Sequence, residues 1–231
     1  MAGGRVGGPR PGDKTYMRES RLRVCFIRHG ETDWNGEQRL QGQIDLALNA
    51  RGLAQALALG GSFTGETSAA IYSSDLLRAR QTAQPLADSM CLPVTPLKAL
   101  RERNFGRCEG LTMSEIAQRY PADAQAIDAN DPDYILPGGE SRRQLNDRVL
   151  ICVDGLRRIH AGSAIIVVTH GGVLDVVYRR ARKLPLDAPR DYPIPNTGIN
   201  WVVVGDQDWG IESWAVTSHL TTLWRGEAGG V

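Results

Sequence analysis

Two histidines sit at the same kind of place in this chain. Leu22-Arg23-Val24-Cys25-Phe26-Ile27, mostly apolar, ends at Arg28-His29-Gly30. Ala164-Ile165-Ile166-Val167-Val168-Thr169 ends at His170-Gly171-Gly172. Short apolar runs with β-branched members and a glycine beyond read as buried strands. Ligands of open α/β sheets bind outside the carboxyl ends of such strands. A single strand-end histidine is best read as structural. Two at equivalent points, out of four in the chain, make a shared reactive site the better reading.

The neighbours of these histidines choose the guest. A catalytic metal needs about three protein ligands, commonly at short spacing, and no His-x-x-x-His or His-Glu-x-x-His occurs. Arg28, adjacent to His29, would repel a cation. An anion fits better, because a guanidinium offers bidentate donors matched to phosphate oxygens. Glycine-flanked backbone amides at strand ends add further donors. Arg78 follows the run Ala69-Ala70-Ile71-Tyr72-Ser73 and is expected near the same sheet edge. Glu102, between Leu100 and Phe105, is the candidate proton donor, although pairing with Arg101 or Arg103 is its simpler reading.

These side chains need a scaffold. Strand, helix, strand and helix alternate from residue 22 to about Met90, which predicts a mostly parallel sheet. Asn49 is the expected N-cap of a helix carrying Leu53, Ala56, Leu57 and Gly60 at helical spacing. Asp75 is the expected cap of the next helix. Asp33 to Gly36 reads as a loop, and Val94 to Leu97 as an edge strand containing a proline. Thr112 and Glu115 form a capping-box pattern. Residues 121–140, with several prolines and glycines, read as a surface excursion. Ser141 to His160 reads as a helix, apolar at Leu145, Val149, Cys152, Val153, Leu156 and Ile159. Val173 to Arg182 is a further helix, and Gly198–Val204 with Trp209–Val216 a hairpin. His160 suits a helix end, and Arg179, Arg180, Arg182 and Lys183 read as a solvated cluster. Trp201, Trp209, Trp214 and Trp224 read as packing residues.

Taken together, the motifs resemble those of the histidine phosphatase superfamily, which includes the cofactor-dependent phosphoglycerate mutases. The carriers are Arg28-His29-Gly30-Glu31-Thr32 with Trp34-Asn35, then Ser73-Ser74-Asp75-Leu76-x-Arg78-Ala79-x-Gln81-Thr82-Ala83. Leu100-x-Glu102-x-x-Phe105-Gly106-x-x-Glu109-Gly110, Gly138-Gly139-Glu140-Ser141 and Val168-Thr169-His170-Gly171-Gly172 follow in family order. The resemblance spans about residues 22–220. Cys108 departs from it, where relatives often carry tryptophan.

The resemblance implies an α/β fold of three layers, a mostly parallel central sheet with helices on both faces. It implies His29 as a nucleophile that forms phosphohistidine, with Arg28, Arg78 and His170 around the phosphoryl oxygens and Glu102 as acid and base. Asn35, Gln41, Gly42 and Gly171 are expected to join Arg28, Arg78 and His170 in binding phosphate. No metal or cofactor is implied. Arg39-Leu40-Gln41-Gly42-Gln43 resembles the phosphatase branch more than the mutases. Residues 107–136 carry Arg107 and Arg119 against six acids, a net of −4, which suits a bisphosphate poorly. Hydrolysis of a small-molecule phosphate monoester is therefore the expected activity. Bisphosphate-primed mutase activity and non-catalytic phospho-ligand binding are the alternatives.

Composition narrows the partners. Lys plus Arg number 27 and Asp plus Glu 26, so no global charge draws nucleic acid or a membrane. No basic–aromatic stripe appears, and no apolar run reaches the length of a membrane span. Four cysteines without close pairing suit a reducing compartment, hence a cytoplasmic setting. Residues 1–20 read as a disordered Gly/Pro-rich extension, with Met17 as an alternative functional start that intact mass would test. Residues 21–225 are expected to form one catalytic domain with a covering segment at about 107–140. Oligomeric state is not legible, a homodimer being one option, and neither is the substrate.

Overall fold

The computed structural model describes residues 21–63 and 65–221. The expected extension, Met17 and Trp224 lie outside the described residues. β1 (Leu22–Arg28), β2 (Ile71–Ser73), β3 (Val94–Pro96), β4 (Ala164–Thr169), β5 (Ile199–Val204) and β6 (Trp209–Val216) form a six-stranded sheet in the order β3-β2-β4-β1-β5-β6. β3, β2, β4 and β1 run parallel, while β5 pairs antiparallel with both β1 and β6. The register sets Arg28 of β1 opposite Thr169 of β4. The next residue on each strand is a histidine, so pairing alone brings His29 beside His170.

The helices are α1 (Asp33–Gly36), α2 (Ala50–Ser62), α3 (Leu77–Met90), α4 (Met113–Arg119), α5 (Pro121–Asp128), α6 (Arg142–Ile159) and α7 (Gly171–Arg182). They cover both faces, because β1 alternates. Leu22, Val24 and Phe26 pack with Leu145, Val149, Val173 and Val177 of α6 and α7. Cys25 and Ile27 pack with Leu59 of α2 and Ala79, Ala83 and Leu86 of α3. Each fully buried Leu or Phe contributes about 1.5–3 kcal/mol. The three-layer expectation holds.

Several local expectations change. Asp33–Gly36 is one helical turn, closed by Thr32 and Asn35 in a capping box, not a loop. Asp75 does not cap α3: its carboxylate takes both Nε and Nη2 of Arg101 at 2.7 Å. Asp45 Oδ1 accepts from Leu77 N instead, at 2.6 Å. Residues 121–140 are not all irregular, since Pro121 begins α5 at a position where its lost N–H costs nothing. Leu53, Leu57 and Ile159 are exposed, while Gln55 and Leu59 turn inward. Arg179 is no solvated cation but a buried partner of Asp175. His160 bonds the Tyr72 hydroxyl at 2.8 Å. Asn49 caps α2 through Gly52 N, and the Thr112–Glu115 box starts α4, both as expected.

Cys108, Ile116, Ala124 and Leu136 close a separate small apolar cluster, with Leu40 and Phe105 against it. It stands over the carboxyl ends of β1 and β4 because Phe105, Leu40 and Ile127 also line the cavity there. Asp123, with no exposed surface, ties the cluster together through Arg107 Nε at 2.8 Å and the Tyr134 hydroxyl at 2.7 Å.

Candidate active site

His29 is 3% exposed and faces a cavity of about 510 Å³. Its Nδ1 lies 2.7 Å from Gly30 O. A carbonyl can only accept, so Nδ1 carries the proton and the lone pair of the neutral ring is on Nε2. The ring centroid of His170 is 5.1 Å away. Burial, with Arg78 and Arg28 beside it, holds the His29 pKa well below its ordinary 6.5. Burial, then Arg78, His29 and Arg28, does the same to His170. Both shifts favour neutral rings, which leaves Arg28 and Arg78 as the fixed charges of the site.

Two arginines supply the charge. Arg28 Nη1 donates to Ile194 O at 2.6 Å. Arg78, with no exposed surface, donates to Ile44 O and Gly42 O, both at 2.8 Å. These carbonyls orient the guanidiniums without neutralising them. Burial lowers both pKa values, that of Arg78 to about 10. Buried Arg28 Nε, Arg78 Nε and both ring nitrogens of His170 have no protein partner. Each such group costs roughly 1–3 kcal/mol unless something meets it. Arg28 Nε, Arg78 Nε and the single N–H of a neutral His170 therefore keep donor capacity for an anion.

Loops hold this cluster together. Gly30 N donates to Thr82 Oγ1 at 2.9 Å, and Thr82 Oγ1 donates to Arg78 O at 2.7 Å, which locks the first turn of α3 to the turn after β1. A Cβ on Gly30 would lie 2.7 Å from Gly52 O, so glycine permits the close approach of α2. Asn196 Nδ2 donates to His29 O at 2.9 Å. Asn35 uses its Oδ1 on Thr32 N at 3.0 Å, which leaves its amide for the cavity it lines.

Glu102 projects from the other wall. Its Oε1 accepts from Arg103 N at 2.7 Å, and its oxygens accept from Gly172 N at 3.1 and 3.0 Å. Neither guanidinium of Arg101 or Arg103 pairs with it. A Cβ on Gly171 would lie 3.7 Å from Glu102 Oε2 and 3.9 Å from Arg28 Nε, so both groups flank the same point at the start of α7.

Arg28, His29, Asn35, Gln41, Arg78, Glu102 and Gly171 line one cavity. Gly42 and His170 do not: Gly42, in the left-handed region at φ +53°, turns its carbonyl onto Arg78, and His170, with no exposed surface, lies beside the His29 ring. The same cavity is also lined by Arg103, Arg142, Asp175 and Arg190, which motif reading did not single out. They come from separate segments with no shared spacing. Thr82 lay within a quoted motif, whereas nothing around Asn196 marked it. Arg107 and Arg119 are not part of the lining; Arg107 lies over the Tyr120 ring. Among the described residues, no three His, Cys, Asp or Glu side chains group as a metal site.

This arrangement has known counterparts. The chain belongs to the histidine phosphatase superfamily. The match falls in branch 1 and covers residues 24–217. The chain is 39% identical to the metal-independent phosphoserine phosphatase of Arabidopsis thaliana, over 87% of this chain and 84% of that protein. It is 40% identical to phosphoglycerate mutase-like protein 4 of the same plant, over 85% and 86%. The solved structure of Bacillus stearothermophilus YhfR superposes with a TM-score of 0.80 at 30% identity, over 86% of this chain and 99% of that one.

Proposed function

We propose that this protein hydrolyses a small-molecule phosphate monoester through a phosphohistidine on His29. The observation that carries this is the His29 ring, its Nδ1 proton committed to Gly30 O, beside unpartnered polar atoms of Arg28, Arg78 and His170. Phosphoryl transfer asks a protein chiefly for alignment and charge stabilisation. His29 Nε2 attacks phosphorus as the ester P–O bond breaks. Arg28 and Arg78 compensate the charge on the equatorial oxygens, and His170, Asn35 and Gln41 complete the cradle. The carboxyl of Glu102 gives its proton to the leaving oxygen. It regains one from the water that then cleaves the P–N bond, so each turnover ends as it began.

We further propose that residues 21–225 act as one catalytic domain covered by about 107–140. The four free cysteines support a cytoplasmic setting. Among the described residues no helix is long and apolar enough to cross a membrane.

The test compares phosphate release from metabolite monophosphates with isomerisation of 3-phosphoglycerate. Release without a bisphosphate primer is expected; fast primer-dependent isomerisation would make the protein a mutase.

The lowered histidine pKa values set a pH profile. His29 is neutral, hence nucleophilic, at and below pH 6.5. After correction for the substrate's own ionisation near ~6, the acid limb of kcat/KM is expected below pH 6.5. A limb at or above that value would contradict the assignment. The unfolded chain binds more protons wherever the folded pKa is the lower, so stability drops as pH falls below about 6.5.

A further inference from the structure

The peptide that joins His29 to Gly30 helps set where the reacting ring points. On one side it fixes the His29 backbone, and on the other Gly30, whose carbonyl takes the Nδ1 proton. This peptide is held at both ends. Its N–H donates to Thr82 Oγ1 at 2.9 Å, and its oxygen accepts from Asn196 Nδ2 at 2.9 Å. Asn196 belongs to a short segment that grips β1 twice more. Ile194 O accepts from Arg28 Nη1 at 2.6 Å, and Thr197 N donates to Arg28 O at 3.0 Å. Residues 194–197 therefore hold both the nucleophile's backbone and the adjacent guanidinium.

This segment is strained. Gly198 N donates to Pro195 O at 3.1 Å, which makes residues 195–198 a hydrogen-bonded turn. Thr197, third in it, lies in the left-handed region at φ +52°. Glycine or asparagine ordinarily takes such a place, and a β-branched residue there is an outlier. Strain of this kind persists only where the surroundings over-determine it, and it gathers at functional sites. Here Thr197 has no exposed surface, and its Oγ1 lies 3.1 Å from His219 Nε2. His219 stands on the 3-10 turn Ser218–Leu220, which follows β6 and packs against α2. Its other nitrogen, Nδ1, is buried without a partner among the described residues, so the ring is committed to Thr197.

We infer that His219 is a positioning residue for the proposed reaction: through Thr197 it locks the left-handed turn that aims His29 and Arg28 at the phosphoryl group. The inference rests on the proposed hydrolysis for what that aim achieves. His219 does not line the cavity, so it acts through its neighbours rather than on the substrate. Without it, Thr197 is free to relax out of the left-handed region, and Asn196 and Ile194 O shift away from β1 with it. A displacement of about 1 Å at a reacting atom costs up to about 10²-fold in rate.

Thr197→Val keeps the size of the side chain and removes only the hydroxyl, while Thr197→Ser keeps the hydroxyl. Thr197→Val and His219→Ala should each slow single-turnover phosphoenzyme formation from p-nitrophenyl phosphate by about tenfold to 10²-fold. Affinity for inorganic phosphate should fall less, because Arg78 keeps supports of its own. Thr197→Ser should stay within a few-fold of the wild type. Burial lowers the His219 pKa, which favours the neutral ring, so His219→Gln, an uncharged donor of similar reach, should recover much of the loss. The double variant of Thr197→Val and His219→Ala should cost no more than the worse single one, as coupled partners do. By NMR, the Nδ1–H signal of His29, identified by its absence from His29→Ala, should broaden in both single variants. Rates within twofold of the wild type in both would overturn the inference, as would losses that add in the double variant or that Thr197→Ser shares. If His219→Ala does not fold, Thr197→Val carries the test. If the wild type forms no phosphoenzyme, the proposed hydrolysis fails, and the His29 signal alone decides the lock: unchanged in Thr197→Val, it refutes it.

Discussion

His29→Ala is expected to lower phosphate release by at least about 10⁴-fold and to abolish labelled phosphoenzyme. The variant removes the attacking nitrogen but little of the scaffold. His29 N bonds Thr169 O at 2.9 Å through the backbone, and the β1–β4 ladder does not involve the ring. Arg28 and Arg78 keep the carbonyls that orient them, so inorganic phosphate should still raise the thermal midpoint of the variant. That control separates lost chemistry from lost fold. Full turnover in a folded His29→Ala protein would end the phosphohistidine assignment. Phosphate binding without turnover in the wild type would indicate a non-catalytic binder.

The inner site was legible in the sequence because its parts stand at strand ends. Two apolar runs, each closed by histidine and glycine, specify adjacent parallel strands, and the register delivers the imidazoles together. Arg78 was legible for a similar reason, one helical step beyond β2. The supports were not. Asp75 has the right type and position for a helix cap, but Arg101, 26 residues later, folds beside it and wins its carboxylate. Asp45 then takes the cap from a distant loop. No local pattern encodes that exchange.

The rest of the cavity wall was illegible for a stronger reason. Arg103 lies in the loop after Leu100, Arg142 opens α6, and Arg190 belongs to the stretch beyond α7. Each alone is an ordinary solvated cation. Charge counted over residues 107–136 described the wrong surface, because Arg107 is spent on Asp123 while the cavity draws its cations from elsewhere. From the cover, Ile127 and Asn130 line the cavity, next to Phe105 just before it.

Glu102→Ala should distinguish acid–base chemistry from mere shape. For alkyl phosphates, whose leaving oxygen needs a proton, kcat is expected to fall about 10²–10⁴-fold. For p-nitrophenyl phosphate, whose leaving group departs as a stable anion, the first step should be far less affected. The structure leaves little room for a substitute. Asp175 is committed to Arg179 and Tyr192, Glu140 to Arg148, and Glu109 Oε1 accepts from Gln43 N and Phe105 N. Glu102 is held by backbone amides alone, which position a carboxyl without tying it to a cation. Glu102→Gln is the stricter variant. Its carbonyl can still accept from Gly172 N, so the start of α7 keeps its contact while proton transfer is lost. If Gln reproduces the leaving-group dependence of Ala, Glu102 moves the proton. If Gln restores alkyl phosphate turnover, or if both leaving groups lose rate equally, Glu102 positions the site instead and the proton must come from the substrate or solvent.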